Sequence, residues 1–311
     1  MKDLKMGLIT NGHWYKGNLH CHTTNSDGKL TPEETVERYK NKGWSFLALT
    51  DHQYYSHLSQ LGDEDFLILP GTELSAIKPD PVRIYHMLAI GKEPCGENNG
   101  FGNGEYIETP EWKGLCTPQE YIDRITRSNN LAVFCHPNWS RLELEDFIDL
   151  SGYFALEIFN FGCAIESHTG LSIDYWDSLL RRGRKIWGVA TDDAHHILED
   201  RCGGWICVNS PSLSQEAIIA SIIAGNFYAS SGPEIFEFYV SEGEVHVVCS
   251  PVKAIHFVTY EYMGHSEISQ EFITGASYKL RGNELYVRVE CVDEHGNTAW
   301  SNPIFLSTLW E

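Results

Sequence analysis

Apolar residues along this chain gather into short continuous runs, and several runs close on a residue with a ligating side chain. Phe46-Leu-Ala-Leu-Thr-Asp51-His52 and Phe66-Leu-Ile-Leu-Pro-Gly-Thr-Glu73 are the first two after the N-terminal strand. Arg83-Ile-Tyr-His86-Met-Leu-Ala-Ile, Leu131-Ala-Val-Phe-Cys-His136-Pro and Ile186-Trp-Gly-Val-Ala-Thr-Asp192-Asp193-Ala-His195 follow. Runs of this length, separated by helical patterns, predict buried parallel strands. In a barrel of such strands, residues at the C-terminal ends converge on one face, so residues far apart in sequence meet in one cup. Helices are expected between the strands. Thr31-Pro-Glu-Glu and Thr117-Pro-Gln-Glu each supply an N-cap, a proline at the first helical position and an acidic first turn. These helices should run to about Lys42 and Asn129, with others over 141–150, 174–182 and 214–225. Residues 155–160 read as one more strand, with Glu157 and Asn160 within reach of the cup.

The pattern changes after Pro233. Phe236-Glu-Phe-Tyr-Val, Val245-His-Val-Val-Cys, Ala254-Ile-His-Phe-Val-Thr-Tyr and Leu285-Tyr-Val-Arg-Val-Glu-Cys-Val alternate with period two between turn residues. Spaced strands of this kind predict a small β-sandwich, which divides the chain into residues 1–232 and 233–311. Residues 92–116 are irregular and rich in Gly and Asn, either a lid over the site or an insertion without a catalytic part.

Composition narrows the setting. Of 311 residues, 42% are hydrophobic and 21% charged, ordinary for a globular protein. No run approaches the ~20 apolar residues of a membrane span, and the first residues lack the apolar core of a signal peptide. A cytoplasmic location is therefore expected. The nine cysteines are odd in number and form no Cys-x-x-Cys pair. Several lie inside apolar strands, where a reduced thiol packs as a small hydrophobe. The net charge of −20 repels a long nucleic acid, and no basic stripe offsets it. A small-molecule substrate is the expected partner.

The candidate chemistry starts at Lys16-Gly-Asn-Leu-His-Cys-His-Thr-Thr-Asn-Ser-Asp27-Gly28. On a strand His20 and His22 project together and Cys21 points to the other face. Asp27 returns through a Ser-Asp-Gly turn. A single His-x-His is equally the mark of a hydrogen-bonded pair on a half-buried strand; the strand-end residues that follow are what turn it into a candidate metal site.

Those residues together resemble the PHP (polymerase and histidinol phosphatase) superfamily of metal-dependent phosphoesterases, over roughly residues 14–205. Leu156-Glu-Ile-Phe-Asn160 and Ala299-Trp-Ser-Asn-Pro303 are similar to its CehA/McbA branch, which includes carbamate hydrolases. The resemblance implies an α/β fold, a distorted seven-stranded (β/α) barrel here joined to the C-terminal β-sandwich. It implies the ligands His20, His22, Asp27, His52, Glu73, His86, His136, Asp193 and His195, holding two or three divalent ions. Six imidazoles and three carboxylates suit Zn, Mn or Fe. Within that scheme His20, His22, Glu73 and Asp193 hold one ion, Glu73 bridges to a second held with His86 and His136, and Asp27, His52 and His195 hold a third. Three divalent ions against three carboxylates leave a cationic, trinuclear cup that attracts a phosphate dianion. A metal-bridging water, rather than a protein nucleophile, attacks phosphorus. Arg201 either grips the phosphate or forms a surface ion pair. Asp51 either supports a ligand histidine or caps a strand end. The expected reaction is hydrolysis of a small phosphate ester. The alternatives are hydrolysis of a carbamate or carboxylic ester at the same site, and metal binding without turnover in an interaction protein.

Overall fold

The computed structural model describes residues 6–8, 11–77, 82–93, 100–102, 104, 106–107, 117–197 and 199–306. Most of the 92–116 segment, where a lid or insertion is expected, lies outside them. The first half holds β1 (Met6–Gly7), β2 (His13–Asn18), α1 (Pro32–Asn41), β3 (Phe46–Ala48), β4 (Leu67–Leu69), β5 (Gly71–Ile77), β6 (Ile84–Gly91), α2 (Pro118–Arg127) and β7 (Asn130–Phe134). Next come β8 (Ala155–Asn160), α3 (Phe161–Ser167), α4 (Ile173–Arg181), β9 (Trp187–Thr191), β10 (Trp205–Ser210), α5 (Gln215–Ile223) and β11 (Phe227–Ser230). The remainder is strand: β12 (Ile235–Ser241), β13 (Glu244–Thr259), β14 (His265–Lys279), β15 (Tyr286–Val292), β16 (Thr298–Ser301) and β17 (Ile304–Phe305).

Local chemistry explains the helix boundaries. Thr31 and Thr117 each accept from the backbone N–H three residues on, and Glu34 and Glu120 reach back to the cap N–H, a complete capping box at both α1 and α2. Asn160 caps α3 by accepting from Cys163 N at 2.9 Å. Of the helix expected over 141–150, only a 3-10 turn at Leu144–Asp146 forms.

The mixed α/β expectation holds, but no closed barrel forms. Backbone pairing makes two sheets. One has twelve strands in the order β1-β12-β13-β15-β16-β11-β10-β2-β3-β4, with β14 added on β13 and β17 on β15; the other is β5-β6-β7-β8-β9. The sheets meet through single-residue bridges, Cys21 to Ala194, His52 to Glu73 and Ser56 to Gly71. Nor are all the buried strands parallel. β2, β3 and β4 pair parallel, as do β7, β8 and β9, whereas β6 runs antiparallel to both β5 and β7. Six residues separate β5 from β6, too few for the crossover that a parallel pair requires.

The C-terminal strands do not stand apart as a sandwich. β16 pairs with β11, which pairs with β10, so they extend the sheet that begins at β2. One large core lies under the five-stranded sheet with α2, α4 and α5. A second joins Cys21, Tyr39, Trp44 and Leu47 to Ile235, Phe238, Ile255 and Val289 of the C-terminal strands. Arg288 of β15 fastens these strands to α4. Its side chain is 1% exposed, bonds Asp177 at 2.8 and 3.1 Å and Glu290 at 2.5 Å, and lies 4.9 Å from the Trp176 ring centre. Removing one member of a buried charge cluster leaves the others unpaired. Arg288→Ala should therefore cost about 3 kcal/mol of unfolding free energy, near the low end for buried pairs because both partners keep some solvent. Urea denaturation measures this, and a loss below about 1 kcal/mol would show that water replaces the guanidinium at no great cost.

Candidate metal centre

The backbone brings the predicted residues to one place by lacing strand ends together. Beyond β2, His22 N donates to Ala194 O at 2.9 Å, and Asp193 N donates to His20 O at 3.0 Å. Thus the His-x-His segment and the Asp-Ala-His segment fix one another. The turn carrying Asp27 is closed by Gly28 N donating to Thr23 O at 2.9 Å. Gly28 lies so close that an added Cβ would sit 2.6 Å from the His22 carbonyl, hence the glycine after Asp27. Asp51 secures the same turn, accepting from Thr23 N at 2.7 Å and Ser26 Oγ at 2.9 Å. It braces this loop rather than a histidine. Two site residues adopt left-handed backbone, His136 at φ 22° and Asp193 at φ 53°, a conformation that costs a non-glycine residue ~1–3 kcal/mol.

At the centre is Glu73, whose side chain is 1% exposed. Its Oε2 lies 3.2 Å from His20 Nε2, 3.3 Å from His22 Nε2 and 3.0 Å from His52 Nδ1. Its Oε1 lies 2.8 Å from His86 Nδ1 and 3.3 Å from His136 Nε2. Asp193 Oδ1 is 3.1 Å from His20 Nε2 and 3.0 Å from His22 Nε2. On the open side Asp27 stands 3.7 Å from His22 Nδ1, 3.7 Å from His52 Nε2 and 3.5 Å from His195 Nε2. The nine residues expected as ligands thus meet around one cup.

These groups fit divalent cations. His20 Nε2, His22 Nδ1, His52 Nδ1, His86 Nδ1 and Glu73 Oε2 are buried and make no hydrogen bond, although carboxylate oxygens or imidazoles lie close by. Buried polar atoms without partners are costly. Here they face common points instead of one another, as metal ligands do. His20, His22, Glu73 and Asp193 offer atoms within 4.8 Å of one another, and so do His22, Asp27, His52 and His195, and His52, Glu73 and His86. A fourth such group, His20, Glu73 and His136, includes Cys135, which the sequence places simply in an apolar strand.

The electrostatics call for positive charge. Burial lowers the His20 imidazole, but Asp193, Glu73 and Glu157 outweigh it and hold the pKa well above the ordinary value. Burial opposes His22 in the same way, yet Asp193 and Glu73 raise it to about 9. Glu73 and Asp193 are held well below the carboxylate range by the surrounding imidazoles, despite burial that pushes the other way. His52 falls to about 4, because burial and the neighbouring His22 and His86 outweigh Glu73.

A second layer of carboxylates holds the first. Glu157 Oε1 is 2.7 Å from His20 Nδ1 and accepts from Thr191 Oγ1 at 2.8 Å, while Oε2 accepts from His136 N at 2.9 Å. Asn160 Nδ2 donates to Glu157 Oε2 and to Asp193 Oδ2, both at 3.1 Å. Asp192 turns away from the cup to accept from Tyr39 OH, Asn18 Nδ2 and the backbone N–H groups of Cys202, Gly203 and Gly204. Arg201 bonds Glu199 at 3.1 Å. Cys21 sits in the second core, on the side away from the histidines. Tyr55 is buried and donates to Asn130 Oδ1. A cavity of about 290 Å³ opens above the cup, walled by Trp139, Cys163, Glu166, Ile197 and Asp200. Trp139 escapes sequence reading because it stands in a polar stretch with no periodic signal, and Glu166 because it sits on a helix of only seven residues.

The PHP domain family model matches residues 18–147, a span that contains seven of the nine residues and ends before Asp193 and His195. No curated protein matches the chain. Among solved structures, a two-domain protein from Bacteroides vulgatus ATCC 8482, containing a predicted PHP-like metal-dependent phosphoesterase, is 13% identical with a TM-score of 0.50. That match covers 94% of this chain and 95% of the other, and it supports the same overall fold. A protein from Bifidobacterium adolescentis ATCC 15703, assigned as a metal-dependent phosphoesterase, is 19% identical, with a TM-score of 0.44, covering 58% of this chain and 87% of that one. An amidohydrolase from Chromobacterium violaceum, with bound sulfate and no metal, is 17% identical, with a TM-score of 0.41 and the same coverages.

Glu157→Gln removes the charge that orients His20 while keeping the side chain's volume. Metal affinity, measured by competition with a chelator, should fall about 10- to 100-fold, the usual effect of losing a partner behind a ligating histidine. Unchanged affinity would mean that His20 is oriented by packing alone.

Proposed function

From the premise that residues 18–147 form a PHP domain, we propose that the chain is a metal-dependent hydrolase, and specifically a phosphoesterase acting on a small phosphate ester. The observation that carries this reading is the buried Glu73 carboxylate with five imidazole nitrogens 2.8–3.3 Å from its oxygens. In this reading His20, His22, Glu73 and Asp193 hold one ion, Glu73 with His86 and His136 a second, and Asp27, His52 and His195 a third. Bound Zn, Mn or Fe would supply Lewis-acid stabilisation of the phosphoryl oxygens and a water of lowered pKa.

The chain's own part is orientation and proton placement. Glu157 is held ionised, principally by His20 against the effect of burial, so it can only accept; His20 Nδ1 therefore donates, which leaves Nε2 as the atom that would give its proton up to a metal ion in the cup. The Asp193 carbonyl does the same for His195, accepting from Nδ1 at 2.9 Å and directing Nε2 toward Asp27. Ser140 Oγ, 3.1 Å from His136 Nδ1, fixes that ring. No protein nucleophile is required. Burial, reinforced by nearby carboxylates, pushes the Cys135 and Cys163 thiols far above neutrality, so neither is a thiolate at pH 7. Residues 1–232 form the hydrolytic unit in this reading, with 233–311 as a buttress.

One observation favours a second reading. Among the described residues no Lys or Arg lines the cavity, and Arg201 is engaged with Glu199. A cation-free wall suits a carbamate or carboxylic ester, whose carbonyl the same ions polarise.

Metal-loaded protein should hydrolyse a generic aryl phosphate, and chelation or Asp193→Asn should abolish the activity. Turnover that survives both removes the metal-dependent mechanism. Hydrolysis of an aryl carbamate or ester, with no phosphate release, selects the second reading. Metal binding without turnover on any of these leaves an interaction protein.

A further inference from the structure

A second cavity, of about 370 Å³, lies away from the metal cup and shares none of the residues that line it. The sheet builds its floor. Lys16 of β2 stands opposite Cys207 of β10, which stands opposite Tyr228 of β11, so the three side chains rise in a row from one face. Trp14 and Trp205, each two positions along from a member of that row, point the same way. Trp14 meets the Tyr228 ring edge-on, with ring centres 5.3 Å apart. The far wall comes from the C-terminal strands. Phe236 of β12, 42% exposed, stands at the mouth, and Ser250 Oγ of β13 accepts from Glu234 N at 2.9 Å. Strands that supply no metal-holding residue thus close a cavity of their own against β2.

Two charged side chains line this cavity, one of each sign: Lys16 and Glu234. They do not pair. The Lys16 ammonium lies 3.5 Å from the Trp205 ring centre and 4.7 Å from that of Trp44, and no carboxylate or carbonyl among the described residues accepts from it. Indole faces attract a cation but leave its three N–H donors without a lone pair. Burial lowers the Lys16 pKa, and the Cys207 and Cys202 thiols, Asp192 and Glu234 offset that only in part. Glu234 is exposed, and its charge is felt by Lys16, Cys207 and Tyr228 alike. Behind the walls, Asp192 acts on Lys16, while Lys42 and Arg201 act on Cys202, so the outer charges are of both signs.

These charges select among ligands. A net anion would gain from Lys16 but meet Glu234 and Asp192 inside a protein of net charge −20. A net cation would gain from Glu234 but meet Lys16. A zwitterion gives each side chain its counter-charge and carries no net charge into the site. Around the two charges the walls are indole, phenol and phenyl, which suit an apolar body. The volume falls at the small end for ligand sites, enough for one compact molecule.

We propose that this cavity binds a free α-amino acid with an aromatic or large apolar side chain, its carboxylate accepting from Lys16, its ammonium donating to Glu234, and its side chain lying against Trp14, Tyr228 and Phe236. The site is separate from the metal centre and independent of the reaction performed there.

Calorimetry on the full-length, manganese-loaded protein tests it, first with L-phenylalanine, L-tryptophan and L-leucine. The tightest binder is then compared with its two truncated forms, which for phenylalanine are 3-phenylpropionate, lacking the amine, and 2-phenylethylamine, lacking the carboxylate. The amino acid should bind at least about tenfold more tightly than either, equivalent to ~1.4 kcal/mol. Lys16→Met, which keeps the apolar stem, should bring the amino acid down to the level of the amine and leave the amine unchanged. Glu234→Gln, at an exposed position, should bring it down to the level of the carboxylate. Binding of none of the three amino acids, or no advantage over the truncated forms, overturns the site. Binding that both variants retain places the amino acid on the metal ions instead, and the proposal falls. A carboxylate that binds as tightly as the amino acid removes the role of Glu234 and with it the zwitterion. If Lys16→Met fails to fold, Glu234→Gln decides alone: an undiminished advantage of the amino acid over the carboxylate refutes the proposal.

Discussion

A carboxylate buried to 1% exposure is the constraint from which the site follows. An ionised group taken out of water costs several kcal/mol unless opposite charges and hydrogen-bond partners replace the solvent. Glu73 has five imidazoles within 3.3 Å and, among the described residues, no Lys or Arg side chain paired with it. Imidazoles balance a carboxylate only when protonated, and five protonated rings would repel one another. A shared divalent cation resolves both problems, which is why the unpartnered nitrogens and Glu73 Oε2 are a better indication of ligation than any single distance.

Bringing those imidazoles together forces the backbone. His136 and Asp193 adopt left-handed angles that neither residue type prefers, and the surrounding hydrogen bonds hold them there. The His136 N–H is taken by Glu157 and the Asp193 N–H by the His20 carbonyl. Strain and brace therefore coincide at the same residues. The buried carboxylates divide the work: Glu73 and Asp193 face the cup, Glu157 holds two ligand segments, Asp51 holds the turn carrying Asp27, and Asp192 ties Cys202–Gly204 to β2 through Asn18 and to α1 through Tyr39. Even with five donors, burial leaves Asp192 with a pKa raised to about 6, so its bonds repay its desolvation only in part.

What the sequence made legible was local. Strand-end histidines and carboxylates stood where an apolar run stops, and the capping boxes at Thr31 and Thr117 marked α1 and α2. What it hid depends on distant pairing. The antiparallel turn of β5 onto β6 follows from a short connection, yet both strands are apolar enough to suit either direction. Glu157 alternates within a buried strand, and nothing nearby says that His20, 137 residues away, is its partner. α3 was missed because Asn160 has two jobs, closing a strand that reads as β and capping a helix only seven residues long. β14, mostly exposed, has too little apolar alternation to announce itself, and its register with β13 shifts twice.

The separation of a hydrolytic unit from an all-β appendage, clear in the hydropathy pattern, becomes less sharp once β2 is considered. That strand ends two residues before His20. Its Lys16 ammonium lies 3.5 Å from the Trp205 ring centre and 4.7 Å from that of Trp44, a cation held by indole faces rather than by a carboxylate. The same stretch of sheet continues through β10 and β11 to β16. Any shift in how the C-terminal strands pair must therefore pass along β10 to β2, where Asn18 bonds Asp192 and its own next-but-one neighbour. Strands that supply none of the nine residues thus bear directly on where His20 stands. Pairing that runs without a register shift from β16 through β11 and β10 to β2 transmits position in a way that a domain hung on a flexible linker would not.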